Sequence, residues 1–225
     1  MRHMMVVLML LVAVAAFGAN AYDRGVAAYN AGDKVAAQLA LDEFVLGGGV
    51  NAQAYILLGE LAKGRGEIAK AGEWYSKAAG TAKAGSKLRC VGLRCYVYTL
   101  TKTWSDAGIK GGDEAAVALE KEFAEDGDAK VCRATWWGRR QFELLKAGNA
   151  KGSIPFGEKS IAARQDFPLF ANNLACALCD LGDAASGAER QALAKKALGV
   201  LSHYKIEGKL LETKARAEKI LARVK

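Results

Sequence analysis

YDRGVAAYNAGDKVAAQLALDEFVLGGGVNAQAYILLGELAKGRGEIAKAGEWYSKAA, residues 22–79, contains one unit twice. Gly25 recurs as Gly59, Ala28 as Ala62, Gly32 as Gly66, Asp33 as Glu67 and Ala37 as Ala71, each 34 positions on. A fixed period of that length marks stacked helical hairpins, because one hairpin is too small to bury its own apolar face. Gly32-Asp33 and Gly66-Glu67 separate the helical stretches of each unit. Asp33 is of the type that caps the helix following such a turn. The expected helices run over Tyr22–Ala31, Lys34–Val45, Ala52–Lys63 and Ile68–Ala79. Gly25, Gly59, Ala37 and Ala71 lie where a large side chain would push paired helices apart. Leu41, Phe44, Leu57, Leu58, Trp74 and Tyr75 supply the apolar bulk.

Beyond Ala79 the period lapses and then returns. Ser86–Thr103 reads as one long helix, and Gly111-Gly112 as the next turn, with Asp113 capping a helix through Phe123. Asp126-Gly127-Asp128 is a further break. Gly148-Asn149 and Gly182-Asp183, again 34 apart, read as equivalent turns. Gln141 stands where a small residue is expected, so the fourth unit is degenerate. Lys209–Val224 closes the chain as a capping helix, with Leu210, Leu211, Ile220, Leu221 and Val224 inward and Glu212–Arg216 as an i,i+4 pair. The expectation is an all-α chain of about five hairpins plus that cap.

At Gly59, Gly66-Glu67, Ala71 and Ala78, preceded by Tyr55 and Leu58, the chain resembles the tetratricopeptide-repeat family. The first two units, with their Gly47-Gly48-Gly49 link, are also similar to repeat proteins of bacterial aerotolerance operons; the rest of the chain does not extend that likeness. The resemblance implies a right-handed α-α superhelix whose first helices line a concave groove for peptides or helices of protein partners. It implies groove positions at Tyr22, Val26 and Tyr29, then Gln53, Ile56, Glu60 and Lys63. Arg89 and Tyr96 follow, then Thr135, Phe142 and Leu145, and lastly Asn172, Cys176 and Cys179. The Lys and Asn set of the family's carboxylate-binding members is absent.

The segment ahead of Tyr22 stands apart. Arg2 and His3 precede an apolar run from Met4 to Phe17, then Gly18 and Ala19-Asn20-Ala21. That order describes a secretory signal peptide over 1–21, cleaved after Ala21, leaving a repeat domain over 22–225 in the periplasm or cell envelope. The run is shorter than the ~20 residues a spanning helix needs, which disfavours the alternative of an uncleaved anchor. The 225 residues carry a formal charge of +8. Much of the excess lies at the C-terminus, in Lys205, Lys209, Lys214, Arg216, Lys219, Arg223 and Lys225, against Glu207, Glu212 and Glu218. Such a helix either contacts an anionic partner or membrane surface or is a solvated face.

Little in the chain suggests catalysis, and no cofactor is expected. Beyond the leader the single histidine is His203, so neither a histidine-based triad nor a histidine-rich zinc site can be assembled. Cys176 and Cys179 form a C-x-x-C pair, open to three readings: core residues, a disulfide, or a redox or metal site. The pair lies mid-helix, away from the helix N-terminus that lowers a thiol's pKa. Cys90 and Cys95, five apart in one helix, are too far apart to bridge. Trp136 stands among Arg133, Arg139 and Arg140. That composition occurs in binding hot spots, and equally in arginines stacked on a ring or in a buried tryptophan. One such cluster is not the basic stripe that nucleic acid requires.

Overall fold

The computed structural model describes residues 20–223. They form helices and no strand. Helix α1 covers 20–30, followed by α2 (Lys34–Leu46), α3 (Ala52–Gly64), α4 (Ile68–Thr81), α5 (Lys87–Thr103) and α6 (Asp106–Glu122). A second compact unit begins at Ala124, with α7 (Gly127–Lys146), α8 (Ala150–Ala163), α9 (Pro168–Ala184), α10 (Gly187–Leu201) and α11 (Lys209–Ala222). The described residues thus hold five hairpins and one further helix. The apolar leader, Val224 and Lys225 lie outside them.

The periodicity has a direct steric cause. Gly32 and Gly66 adopt φ of +82° and +80°, a left-handed turn that a Cβ would strain. The Asp33 carboxylate then accepts from the Ala36 N–H at 2.9 Å and caps α2. Glu67, its counterpart, makes no cap and pairs instead with Arg65 at 2.8 Å. Inside each of the first two hairpins one large side chain lies over one glycine. A Cβ on Gly25 would fall 2.7 Å from Leu41, and one on Gly59 would fall 2.5 Å from the ring of Tyr75. Leu41 and Tyr75 are themselves one period apart and both are 0% exposed.

The fourth hairpin keeps that contact with the partners exchanged. Gln141 on α7 is the large residue, and Gly157 on α8 leaves the room it fills. The spacing is unchanged, so this unit is reversed rather than degenerate. Gln141 is 0% exposed, and neither polar atom of its amide has a hydrogen-bond partner among the described residues. An unpaired buried polar group costs about 1–3 kcal/mol. Gln141→Met, of similar length and volume, is therefore expected to stabilise the protein by about 1–2 kcal/mol. Urea unfolding checks this; a lower midpoint for the variant would mean that the amide is satisfied after all.

The third hairpin departs from the expected turns. Gly111 and Gly112 lie inside α6, which Ser105 caps through the Gly108 N–H at 3.2 Å. The reason is packing: Gly111 faces the Tyr96 hydroxyl on α5, and Gly112 is buried. Gly92 serves the same end between α5 and α4, where a Cβ would meet the Ala79 backbone nitrogen at 2.8 Å. Arg89 braces this unit. Its Nε donates to Glu122 at 2.7 Å and its Nη1 to the Ala79 carbonyl at 2.6 Å. The bond from Arg89, together with the Gly85 N–H, holds the Glu122 carboxyl below its ordinary range.

In the second unit Gly182 is helical, not a turn. It gives space to Ile220 of α11, 3.2 Å from where its Cβ would stand. Asp183 instead anchors α11, accepting from Arg216 at 2.7 Å and from Arg223 at 3.1 Å. Arg216 thus pairs across helices rather than with Glu212. Leu211, expected inward, is 56% exposed. The apolar seam of α11 runs through Ala217 and Ile220 against Leu174, Leu178 and Leu201.

Candidate functional site

A polar cluster on the first helices of the hairpins centres on Glu60 of α3. Its carboxylate accepts from the Tyr75 hydroxyl at 2.6 Å and from Lys63 Nζ at 2.9 and 3.1 Å. Tyr75 reaches it because Gly59, one residue earlier, lets the ring cross α3. Burial, and then the bond to Glu60, push the Tyr75 phenol well above its ordinary range. The same carboxylate, through its hydrogen bond, raises Lys63. Cys95 of α5 lies within its field, and burial pushes that thiol up.

Around this centre α1, α3 and α5 converge. Tyr29 of α1 is half-buried and within electrostatic reach of Tyr75. Tyr98 of α5 is 48% exposed and lies within electrostatic reach of Lys63. Lys102 lies 5.5 Å from the Tyr98 ring centroid. The side chains of Glu60 and Lys63 are 32% and 39% exposed. The result is a face with a neutralised ion pair at its centre and partly open aromatic rings beside it. Two tyrosines and an ammonium offer apolar area and unspent donors. Among the described residues no group of three His, Cys, Asp or Glu side chains is placed to hold a metal.

The expected groove residues divide three ways. Tyr29, Glu60 and Lys63 come together here. Tyr22 and Val26 flank them on α1, Tyr22 packing its ring 5.5 Å from Phe44. Ile56, at 8% exposure, belongs to the core. Arg89 and Tyr96 are elsewhere: Arg89 is the brace to Glu122, and Tyr96 lines a cavity of about 610 Å³ between α4 and α5 with Gly72 and Thr99. Tyr98 and Cys95 hold the positions on α5 that were expected of Tyr96. The irregular third unit displaces the register, and the clue in the sequence was helical spacing: Tyr98 follows Cys95 by three and Val91 by seven.

In the second unit Phe142 is 47% exposed, its ring 6.0 Å from the Arg139 guanidinium. Thr135 is exposed and Leu145 half-buried beside it. Asn172 is not open: it is 8% exposed, and its Oδ1 accepts from the Thr213 hydroxyl of α11 at 2.8 Å. Cys176 Sγ lies 3.5 Å from the same hydroxyl. Cys179 is 0% exposed, and burial pushes its thiol up to about 11. A protonated, buried thiol is a poor nucleophile. These three positions of α9 therefore seat α11.

Trp136 is a correction. It is 1% exposed, and Arg133 beside it is 6% exposed with Nη2 donating to the Ala124 carbonyl at 3.3 Å. An indole so placed cannot anchor a partner. Arg139 pairs with Glu143 at 2.7 Å, and the Arg140 guanidinium lies 4.7 Å from the Phe156 ring centroid. Trp137 stacks on Phe156 at 5.8 Å, with Lys159 Nζ 4.6 Å from its own ring centroid. Arg139 and Arg140 stack and pair within the hairpin, and the open ring beside Arg139 is that of Phe142, not Trp136.

No family model and no curated protein matches the sequence. Among solved structures the chain is similar to a TPR repeats protein from Bacteroides fragilis, with 13% identity, a TM-score of 0.55, and coverage of 92% of this chain and 99% of that one. A thermophilic TPR protein from Thermus thermophilus aligns over 91% of this chain and 99% of that chain, with 15% identity and a TM-score of 0.39. The first match spans nearly the whole of both chains, and the pairing of large side chain over glycine recurs from the first hairpin to the second: the chain has the tetratricopeptide-repeat fold.

Proposed function

We propose that this protein is a non-catalytic scaffold that holds a segment of a protein partner, after export to the periplasm or cell envelope. The observation that carries the reading is the face around Glu60. Its charged centre is satisfied within the protein, and the partly open side chains around it are tyrosines and an ammonium. Such a preformed surface binds by contact area and a few anchors. The fold supports the same reading, since stacked hairpins set neighbouring first helices side by side within a unit. Export rests on the leader-like sequence of residues 1–21.

The alternative of thiol chemistry at Cys176 and Cys179 has the weaker support, because burial holds the Cys179 proton in place. Contact of α11 with an anionic surface is also weakened, since Arg216 and Arg223 are held by Asp183, and Lys214 lies 3.5 Å from Glu218.

The test is quantitative capture from envelope extract with the wild-type mature chain and with Tyr98→Ala and Lys63→Ala, each checked for native helicity. Loss of an anchor is expected to weaken binding by more than about 1 kcal/mol, roughly fivefold or more. Equal recovery of the same proteins by all three chains would remove this face as the binding site.

A further inference from the structure

The cavity of about 610 Å³ between α4 and α5 shares no lining residue with the face around Glu60. Its volume is of the size that takes a small molecule. Ile68 and Leu100 give it apolar walls. Gly72 opens it: the residue is buried, and a Cβ there would stand 2.8 Å from the Thr99 hydroxyl and 4.0 Å from the Tyr96 ring. A glycine inside a helix costs stability relative to alanine. Here it leaves space between two helices.

Two opposite charges stand at the edge of that space. Glu73 and Lys77 are both exposed and both line the cavity. They occupy i and i+4 of α4, about 5–6 Å apart at Cβ, in the order that favours an ion pair. They form none, and the Lys77 ammonium lies instead 4.4 Å from the Trp74 ring centroid. Among the described residues nothing donates to the Glu73 carboxylate, and the hydroxyls of Ser76 and Tyr96 in the same lining are unspent. A ligand of single charge would meet the like charge as well as the opposite one. A zwitterion satisfies both. An extended dipeptide spans about 7 Å, which suits the spacing of Glu73 and Lys77, whereas a single amino acid holds its two charges closer together. A peptide group can also use the two free hydroxyls.

We propose that this cavity binds a dipeptide with free ends and apolar side chains, its ammonium on Glu73 and its carboxylate on Lys77. The site is separate from the partner-binding face and stands without it.

Isothermal titration of the full chain with leucyl-leucine tests this. Saturable binding below about 1 mM is expected. Glu73→Gln and Lys77→Gln change exposed side chains, and each is expected to weaken binding about tenfold or more, the loss of one charge-assisted hydrogen bond. N-acetyl-leucyl-leucine and leucyl-leucinamide, which each lack one charge, are expected to bind more weakly to the same extent. The absence of saturable binding would overturn the site. Binding that neither variant changes would overturn the charge assignment, and free leucine binding as tightly as leucyl-leucine would overturn the dipeptide.

Discussion

Tyr75→Ala is expected to destabilise the protein by about 3–5 kcal/mol, the range for emptying a buried aromatic site. The ring is 0% exposed, lies across Gly59, and carries the hydroxyl that donates to Glu60 at 2.6 Å. Removing it opens a cavity between α3 and α4 and leaves Glu60 with Lys63 alone. Tyr75→Phe separates the two losses: it keeps the ring and is expected to cost about 1 kcal/mol, the net worth of one hydrogen bond. Gly59→Ala sharpens the test, because its Cβ would stand 2.5 Å from the Tyr75 ring. Alone it is expected to cost about 1–3 kcal/mol by overpacking. In the Tyr75→Ala background that penalty should vanish, since the two residues share one space. Urea unfolding of wild type, the two alanine variants and their combination gives the cycle, and additive losses would show that ring and glycine are not in contact.

Trp136→Ala is the second large effect, again about 3–5 kcal/mol, because the indole is 1% exposed. The contrast that matters is with Phe142→Ala on the same helix. Phe142 is 47% exposed, and its removal is expected to shift stability by no more than about 0.5 kcal/mol. A tryptophan that anchors a partner behaves in the opposite way: it costs binding and leaves stability unchanged. Thermal unfolding of the two variants therefore decides between core and anchor. A near-neutral Trp136→Ala would reverse the assignment made from burial.

Much of the hairpin pattern was legible between Tyr22 and Ala79. The left-handed turn at Gly32 recurs at Gly66 because the same steric need recurs one period later, and Asp33 caps because its carboxylate can reach the N–H of Ala36. The third hairpin was not legible by the same rule. Gly111 and Gly112 look like a turn, yet here they allow close helix approach, and glycine serves both ends. Gln141 looked like decay of the repeat. It keeps the contact with Gly157 at the same spacing, but with the glycine on the second helix of the hairpin, where the repeat has its large residue.

The candidate site was half legible. Tyr29, Glu60 and Lys63 follow from the period, since they sit on helices whose register the repeat sets. Tyr98 in place of Tyr96 does not, because the third hairpin has its own phase. Arg89, Asn172 and Trp136 are polar or amphipathic residues that the pattern alone cannot assign to surface or interior. Glu122 and Thr213, the partners of Arg89 and Asn172, come from distant positions in the chain, and Trp136 is buried.

The sequence by itself determined the class: an all-α stack of hairpins with a fixed period and small residues where helices cross. That information is local and periodic, and helix propensity, caps and turns act over short stretches of chain. The tertiary structure alone decided which side chains are open and which are spent on packing. Burial depends on the elements that pack against a helix, as where α11 takes Asn172 out of the groove, or where α2 covers Ala21 of α1.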